Sequence, residues 1–271
     1  MTADTLTLND GHAIPRLGLG VWKAEGDEVV TAVTHALEHG YRHIDTAAVY
    51  GNEAEVGQGL RSSDVPRDEV FVTSKVWNER IRAGEASQAI DDALKLLQLD
   101  YLDLMLLHWP TEGRGIAWQS LIDAREDGRV RSIGVSNFLP GQLDELVAET
   151  GVVPALNQIE HHPWLHQPDI KLACKRHGIA VEAWSPLMQG RFAESPVIGE
   201  IATEAGRSEA QVVLRWALQQ DIIVIPKSIT PARIEQNGQL FDFDLDAGQM
   251  ARIDAIDREE RLGPDPSDFS F

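Results

Sequence analysis

Apolar residues recur at helical spacing in one stretch after another, and most of these stretches end at a glycine followed at once by a short apolar run. Val29, Val30, Val33 and Leu37 share one helical face, Gly40 stops it, and 41–45 reads as a strand. Ile116 to Asp127 stops at Gly128 before Val130 to Ser136. Ile170, Ala173 and Cys174 line a face that begins near Pro168 and ends at Gly178, and 179–185 follows. Glycine after a helix takes the left-handed conformation at low cost, so it is a good stop signal. Ile90, Ala93, Leu94 and Leu97 show the same period, as do Leu143, Leu146 and Val147 before Gly151. Ser208 with Gln211 has capping-box spacing and opens a helix through Trp216; Asp246 to Ile256 reads as the last helix. Ahead of all this, the alternation of 5–8, the Asp10-Gly11 turn and the run from Ala13 to Leu17 predict a β-hairpin.

The strands are continuous apolar runs, clearest at 70–72, 104–107 and 222–225. Such runs suit parallel strands covered on both faces. Seven of them lead into a polar residue: Asp45, Lys75, His108, Ser136, Gln158, Ser185 and Lys227. Their spacing averages about 30 residues, the length of a βαβ unit. With a first strand at 17–21 the pattern predicts a (β/α)8 TIM barrel, a single domain over 1–271, whose polar strand ends ring the C-terminal mouth.

Composition is ordinary for a globular chain of 271 residues, with 43% hydrophobic positions. Acidic residues number 43 against 24 basic ones, a net charge of −19, which argues against nucleic-acid or anionic-membrane binding. The single cysteine, Cys174, excludes an internal disulfide and points to a cytoplasmic protein. Met1 to Asp10 lacks the pattern of a signal peptide, and no run approaches a membrane span. The segment from Arg258 to Phe271 reads as a polar tail, and the acids from Asp254 to Glu260 as a solvated helix face.

Asp45, Tyr50, Lys75 and His108 bring an acid, a phenol, an amine and an imidazole to adjacent strand ends. An ammonium beside a phenol stabilises the phenolate and lowers its pKa, a carboxylate holds the ammonium, and the imidazole can orient a reacting oxygen. Asp45 and Lys75 could equally be a structural ion pair, and His43 or Glu160-His161-His162 could serve a metal-dependent hydrolase. Trp22, Trp77 and Trp109 follow strand ends and read as walls of a substrate pocket; Trp118, Trp216 and Cys174 read as core.

Over nearly its whole length the chain resembles the aldo-keto reductases. The resemblance rests on Gly40-Tyr41-Arg42-His43-Ile44-Asp45-Thr46-Ala47, Tyr50-Gly51-Asn52-Glu53, Ser74-Lys75-Val76-Trp77, Leu107-His108-Trp109-Pro110, Gly134-Val135-Ser136-Asn137-Phe138, Asn157-Gln158-Ile159-Glu160 and Ile225-Pro226-Lys227-Ser228. It is most similar to the bacterial 2,5-diketo-D-gluconate reductases. The resemblance implies Tyr50 as general acid, Lys75 as its partner, Asp45 as the counterion of Lys75 and His108 as orienter of the carbonyl. It implies NADPH as cofactor. Ser136, Asn137 and Gln158 would hold the carboxamide, Trp184 would stack on the nicotinamide, and Ser185 and Leu187 would line the pyrophosphate path. Lys227, Ser228 and Arg233 would hold the 2′-phosphate, with Gln236 and Asn237 at the adenine. Gln236 departs from the glutamate usual in the family, which softens the adenine contact. The short connection 111–115 departs too and leaves the pocket open on that side. No resident metal is implied. The partner expected is a small carbonyl compound and the expected state a monomer. The different-class alternative is a cofactor-binding regulatory subunit without turnover.

Overall fold

The computed structural model describes residues 4–271. Residues 1–3 of the predicted domain, and of the N-terminal segment judged not to be a signal peptide, lie outside the described residues. Strands β1 (Thr5–Thr7) and β2 (Ala13–Pro15) form the antiparallel hairpin, with Leu6 opposite Ile14. The main sheet follows in chain order: β3 (Leu19–Gly20), β4 (His43–Asp45), β5 (Phe71–Val76), β6 (Leu102–Leu107), β7 (Val130–Ser136), β8 (Leu156–Glu160), β9 (Ala180–Trp184) and β10 (Ile223–Val224). These eight strands, among the described residues, are parallel and each pairs with its sequence neighbour. Parallel bridges Leu17–Val224 and Gly20–Lys227 join the two ends and close the barrel. Glycine is needed at that seam, because a Cβ on Gly20 would stand 2.8 Å from the Ile225 carbonyl oxygen. No described helix is long and apolar enough to cross a membrane.

The helices stand where the apolar period places them. Asp27–Glu38, Arg114–Glu126, Pro140–Thr150 and Pro168–His177 each precede a glycine with positive φ. Ser208 and Asp246 form the capping boxes of Glu209–Leu218 and Ala247–Asp254. Two expectations need correction. Ala86–Leu97 ends without glycine, since Gln98 itself takes the left-handed conformation (φ 56°). The last helix ends at Asp254, so the acids beyond it are on no helix face: Asp257 approaches His166 and Glu260 pairs with Arg191.

Side chains alternate across each strand. On β5, Val72 and Val76 face the helices, while Phe71, Thr73 and Lys75 climb the barrel interior from floor to mouth. The floor is apolar. Phe71, Leu104, Leu106, Ala155, Leu156 and Ile223 gather there, and the hairpin plugs them with Leu8 and Ile14. Above the floor the interior turns polar, with His43, Thr73, Asp45, Lys75, Gln158 and Glu182 all buried. Ile14 is 0% exposed, and Ile14→Ala should therefore cost about 2–5 kcal/mol in urea unfolding. A loss below about 1 kcal/mol would show that the hairpin does not seal the floor.

Candidate active site

Lys75 is the centre of the upper interior. Its Nζ donates to Asp45 Oδ1 at 2.7 Å and to the Thr46 carbonyl at 2.9 Å, and lies 3.5 Å from the Tyr50 hydroxyl. Tyr50 ends a short 3-10 turn, Ala48–Tyr50, which closes on Gly51 (φ 67°). Asn52 holds that turn in place. It donates to the Val21 and Ala24 carbonyls and accepts from Thr46 Oγ1, joining the loop after β3 to the loop after β4. The His108 ring meets Tyr50 edge-on at 5.9 Å. The four residues predicted from the sequence thus come together at one mouth.

Their electrostatics differ from expectation in one respect. Burial pushes the Tyr50 phenol above its ordinary value, and the opposing pull of Lys75 has the expected sign but is the smaller effect. The phenol therefore stays protonated through neutral pH. Desolvation pulls the Lys75 ammonium down, but the Asp45 carboxylate, joined by the Tyr50 phenolate wherever that forms, outweighs it and holds its pKa above normal. Burial, with Lys75 adding to it, keeps His108 far below the ordinary histidine value, so its ring is neutral.

Glu182 was not singled out by sequence analysis. It lies mid-strand on β9, where an acid flanked by Val181 and Ala183 carries no motif. In the barrel it is fully buried, and Gln158 spans the gap to Asp45: Nε2 donates to Asp45 Oδ2 at 2.8 Å and to Glu182 Oε1 at 2.5 Å. Burial and the neighbouring Asp45 raise the Glu182 carboxyl from 4.5 to about 8. Lys75 and Asp45 then form one compensated pair with a neutral acid beside it. Both amide protons of Gln158 are committed inward, which leaves its oxygen to meet a ligand.

Ser136, Asn137 and Gln158, the residues expected at the carboxamide, lie together with Trp184. Ser136 Oγ donates to the Gln158 carbonyl, Asn137 Nδ2 donates to Ser136 Oγ and to the His108 carbonyl, and Trp184 Nε1 donates to Asn137 Oδ1 at 2.8 Å. Ser185 (φ 50°) and Leu187 follow β9 directly. Past β10, Lys227 is exposed and Ser228 is buried. Arg233, Gln236 and Asn237 lie on helix Pro231–Gly238, whose N-terminus no side chain caps. Lys227 and Arg233 are exposed and pair with no acid among the described residues. Two free cations beside an uncapped helix start are a donor set suited to a phosphate. The residues present therefore fit NADPH.

The pocket walls show one further correction. Trp77 meets His108 edge-on at 5.1 Å, and Trp109 lies close by; Trp22 is 43% exposed, with Lys23 over its ring. The tail reaches this wall. Phe271 stacks on Trp77 (5.6 Å, 3° between planes) and Phe269 packs on Trp109. Arg82 and Asn78 hold the Phe271 carbonyl oxygen, so the side expected to be open is covered. Glu160 accepts the Leu262 and Gly263 amides, and His162 faces Glu160 rather than His108. His162, one of the histidines considered for a hydrolase metal, is thus committed to Glu160.

The strand ends also shift by a residue or more. Val76 and Glu160 extend β5 and β8 past Lys75 and Gln158, His108 and Ser185 come one residue after β6 and β9, and Lys227 comes three after β10.

Glu182→Gln should remove a pH-dependent weakness. The folded carboxyl stays protonated up to about 8 against 4.5 for an ordinary one. The folded state therefore binds more protons than the unfolded state between those values, and stability falls as pH rises through that window. Glutamine does not titrate. Urea unfolding at about pH 5, 7 and 9 should show the variant gaining on the wild type as pH rises, and a constant difference would contradict the assignment.

A family model described as the aldo/keto reductase family matches residues 16–258. The glyoxal reductase of Bacillus subtilis is 46% identical over 270 residues, covering 99% of this chain and 98% of that one. The methylglyoxal reductase DkgA of Escherichia coli is 45% identical over 269 residues, covering 97% of each. A crystal structure of a Gox0644 variant in complex with NADPH superposes with a TM-score of 0.94 at 40% identity, covering both chains completely. With the mouth built as described and a match of this extent, the chain belongs to the aldo/keto reductase family.

Proposed function

We propose that this chain reduces the carbonyl of small aldehydes and ketones to an alcohol with NADPH, and that α-dicarbonyls and keto-sugar acids are its substrate classes. The observation that carries the mechanism is the buried Asp45–Lys75 pair with its ammonium 3.5 Å from the Tyr50 hydroxyl. NADPH, when bound, supplies the hydride. Tyr50 supplies the proton to the carbonyl oxygen, and its phenol is available because it stays protonated. Lys75 stabilises the phenolate left behind, and Asp45 with the Thr46 carbonyl keeps that ammonium aimed at it. The neutral His108 ring orients the carbonyl oxygen. Trp77, Trp109 and Phe271 wall the site and exclude water. Trp22 is the third tryptophan wall of this reading. The α-dicarbonyl class is supported by the names of the two reductases above.

For the cofactor, Ser136, Asn137 and the Gln158 oxygen would hold the carboxamide, with Trp184 against the ring. Ser185 and Leu187 would line the path to the adenosine, where Lys227, Ser228 and Arg233 take the 2′-phosphate and Gln236 and Asn237 the base. The same reading makes the protein a single-domain monomer of the cytoplasm.

The direct test compares NADPH consumption by wild type and Tyr50→Phe on glyoxal, methylglyoxal and a keto-sugar acid. The variant should lose about 10²–10⁴-fold in rate while binding NADPH normally by fluorescence. An undiminished rate would remove Tyr50 from the mechanism. Arg233→Ala should weaken NADPH by roughly 10–100-fold, the worth of a charge-assisted hydrogen bond, and leave NADH nearly unchanged. An equal loss for both cofactors would place Arg233 away from the 2′-phosphate.

A further inference from the structure

A cluster of metal-ligand side chains lies outside the mouth, on the outer helices. His35, Glu38 and His39 place their donor atoms within 4.8 Å of one another, and the structure holds no ion there. From the facing helix, Glu235 Oε1 approaches His35 Nε2 at 3.0 Å and His39 Nε2 at 3.7 Å. We propose that His35, His39 and Glu235, with Glu38 as fourth donor, bind a divalent transition metal of the zinc class and so tie helix Asp27–Glu38 to helix Pro231–Gly238.

The donor set and its spacing carry the proposal. Histidines four residues apart share one helix face, and here their rings stack at 3.9 Å. His39 Nδ1 lies 2.8 Å from the His35 carbonyl oxygen. A carbonyl can only accept, so Nδ1 carries the proton and the Nε2 lone pair of the neutral ring is free. Anchoring the far ring nitrogen on an acceptor is how ligating histidines are usually oriented. Two ligand atoms on a tetrahedral zinc are separated by about 3.4 Å, given bonds near 2.1 Å. The 3.0 and 3.7 Å separations bracket that value; the His35 Nε2 proton now donated to Glu235 moves to Nδ1 when the ion takes its place. The cluster sits at the C-terminal end of Asp27–Glu38, where unpaired carbonyls favour a cation. Glu38 has no hydrogen bond or ion pair among the described residues, so it can turn inward. The overall charge of −19 adds a general attraction for cations.

The segment just after Asp27–Glu38 is already tied to the second helix by the buried hydrogen bond from the Tyr41 hydroxyl to the Ile234 carbonyl, 2.9 Å. Helix geometry places Arg233 about 200° around the axis from Glu235. The ion and a phosphate at Arg233 would therefore occupy opposite sides of one helix and not compete.

The test is calorimetric titration of the whole protein with Zn²⁺, after dialysis against chelator, using wild type, His39→Ala, Glu235→Ala and the remote surface control His12→Ala. The wild type should bind one ion with a dissociation constant below about 100 µM, and Co²⁺ should give the intense visible absorption of a tetrahedral site. His39→Ala and Glu235→Ala should each weaken binding at least about tenfold, and His12→Ala should leave it unchanged. Zn²⁺ should also raise the melting temperature of the wild type but not of His39→Ala. Failure of the wild type to saturate, or equal binding by all four proteins, would overturn the proposal. These exposed positions tolerate alanine, and a melting curve in chelator verifies that each variant is folded.

Discussion

An ammonium ion sealed inside the barrel is the constraint around which the rest is arranged. Lys75 is 1% exposed and Asp45 2%. Burying either charge alone would cost several kcal/mol, and removing one partner from such a pair typically costs about 3–5 kcal/mol. The chain meets this with a close counterion, a backbone carbonyl and a hydroxyl around one nitrogen. Glu182 shows how tightly the balance is kept. A second carboxylate in the same space would leave the pair overcompensated, and its elevated pKa keeps it neutral instead. Gln158 lies between the two acids and donates to both, so the position of its amide follows from the charge balance.

That arrangement needs a barrel whose interior is divided by height. The floor is apolar and plugged by the hairpin, which supplies stability without any polar group to satisfy. The upper interior is polar throughout, and every charged group in it is paired, neutralised or hydrogen-bonded. One strand shows the division: Phe71 at the floor, Thr73 above it and Lys75 at the mouth are successive inward positions of β5. A one-residue slip in register would turn Lys75 out against the helices, so the pairing of β5 with β4 and β6 directly sets the chemistry.

How much of this is legible in the sequence depends on whether the signal is local. Helices that end at Gly40, Gly128, Gly151 and Gly178 announce themselves, because the backbone at those positions needs a left-handed residue. Ser208 and Asp246 are equally plain, since a cap and its partner lie three residues apart. Asp45, Tyr50, Lys75 and His108 can be read because each follows a recognisable strand in a recurring unit. Gln98 is not legible as a stop, because the left-handed conformation is uncommon for glutamine and its residue type does not signal it. Glu182 is hidden because its role depends on Asp45 and Gln158, on other strands. Phe269 and Phe271 are hidden for the same reason: two aromatics in a polar segment reveal nothing until Trp77 and Trp109 are seen beneath them. The lowering of the Tyr50 pKa is a correct pairwise argument that fails in sum, because burial is a property of the whole fold.

The same distinction explains how a chain of charge −19 can hold an anionic cofactor. Net charge sets the field far from the surface, where salt screens it within about 8–10 Å. Binding is decided nearer, by which cations are unspent. Many of the arginines are committed to acids: Arg129 to Asp127 and Asp91, Arg191 to Glu194 and Glu260, Arg252 to Glu200 and Glu204. Such exposed pairs contribute little to stability, but each removes a cation from competition for a phosphate. Lys227 and Arg233 stand exposed without a partner among the described residues, beside an uncapped helix start and close to Ser228. Lys23, Lys95 and Lys175 are also exposed without an acid partner among the described residues, but Lys95 and Lys175 lie in the last turns of helices, whose carbonyl ends repel an anion. On the proposed function, selectivity for a phosphorylated ligand would follow from unpaired cations standing at a helix start rather than from the number of cations.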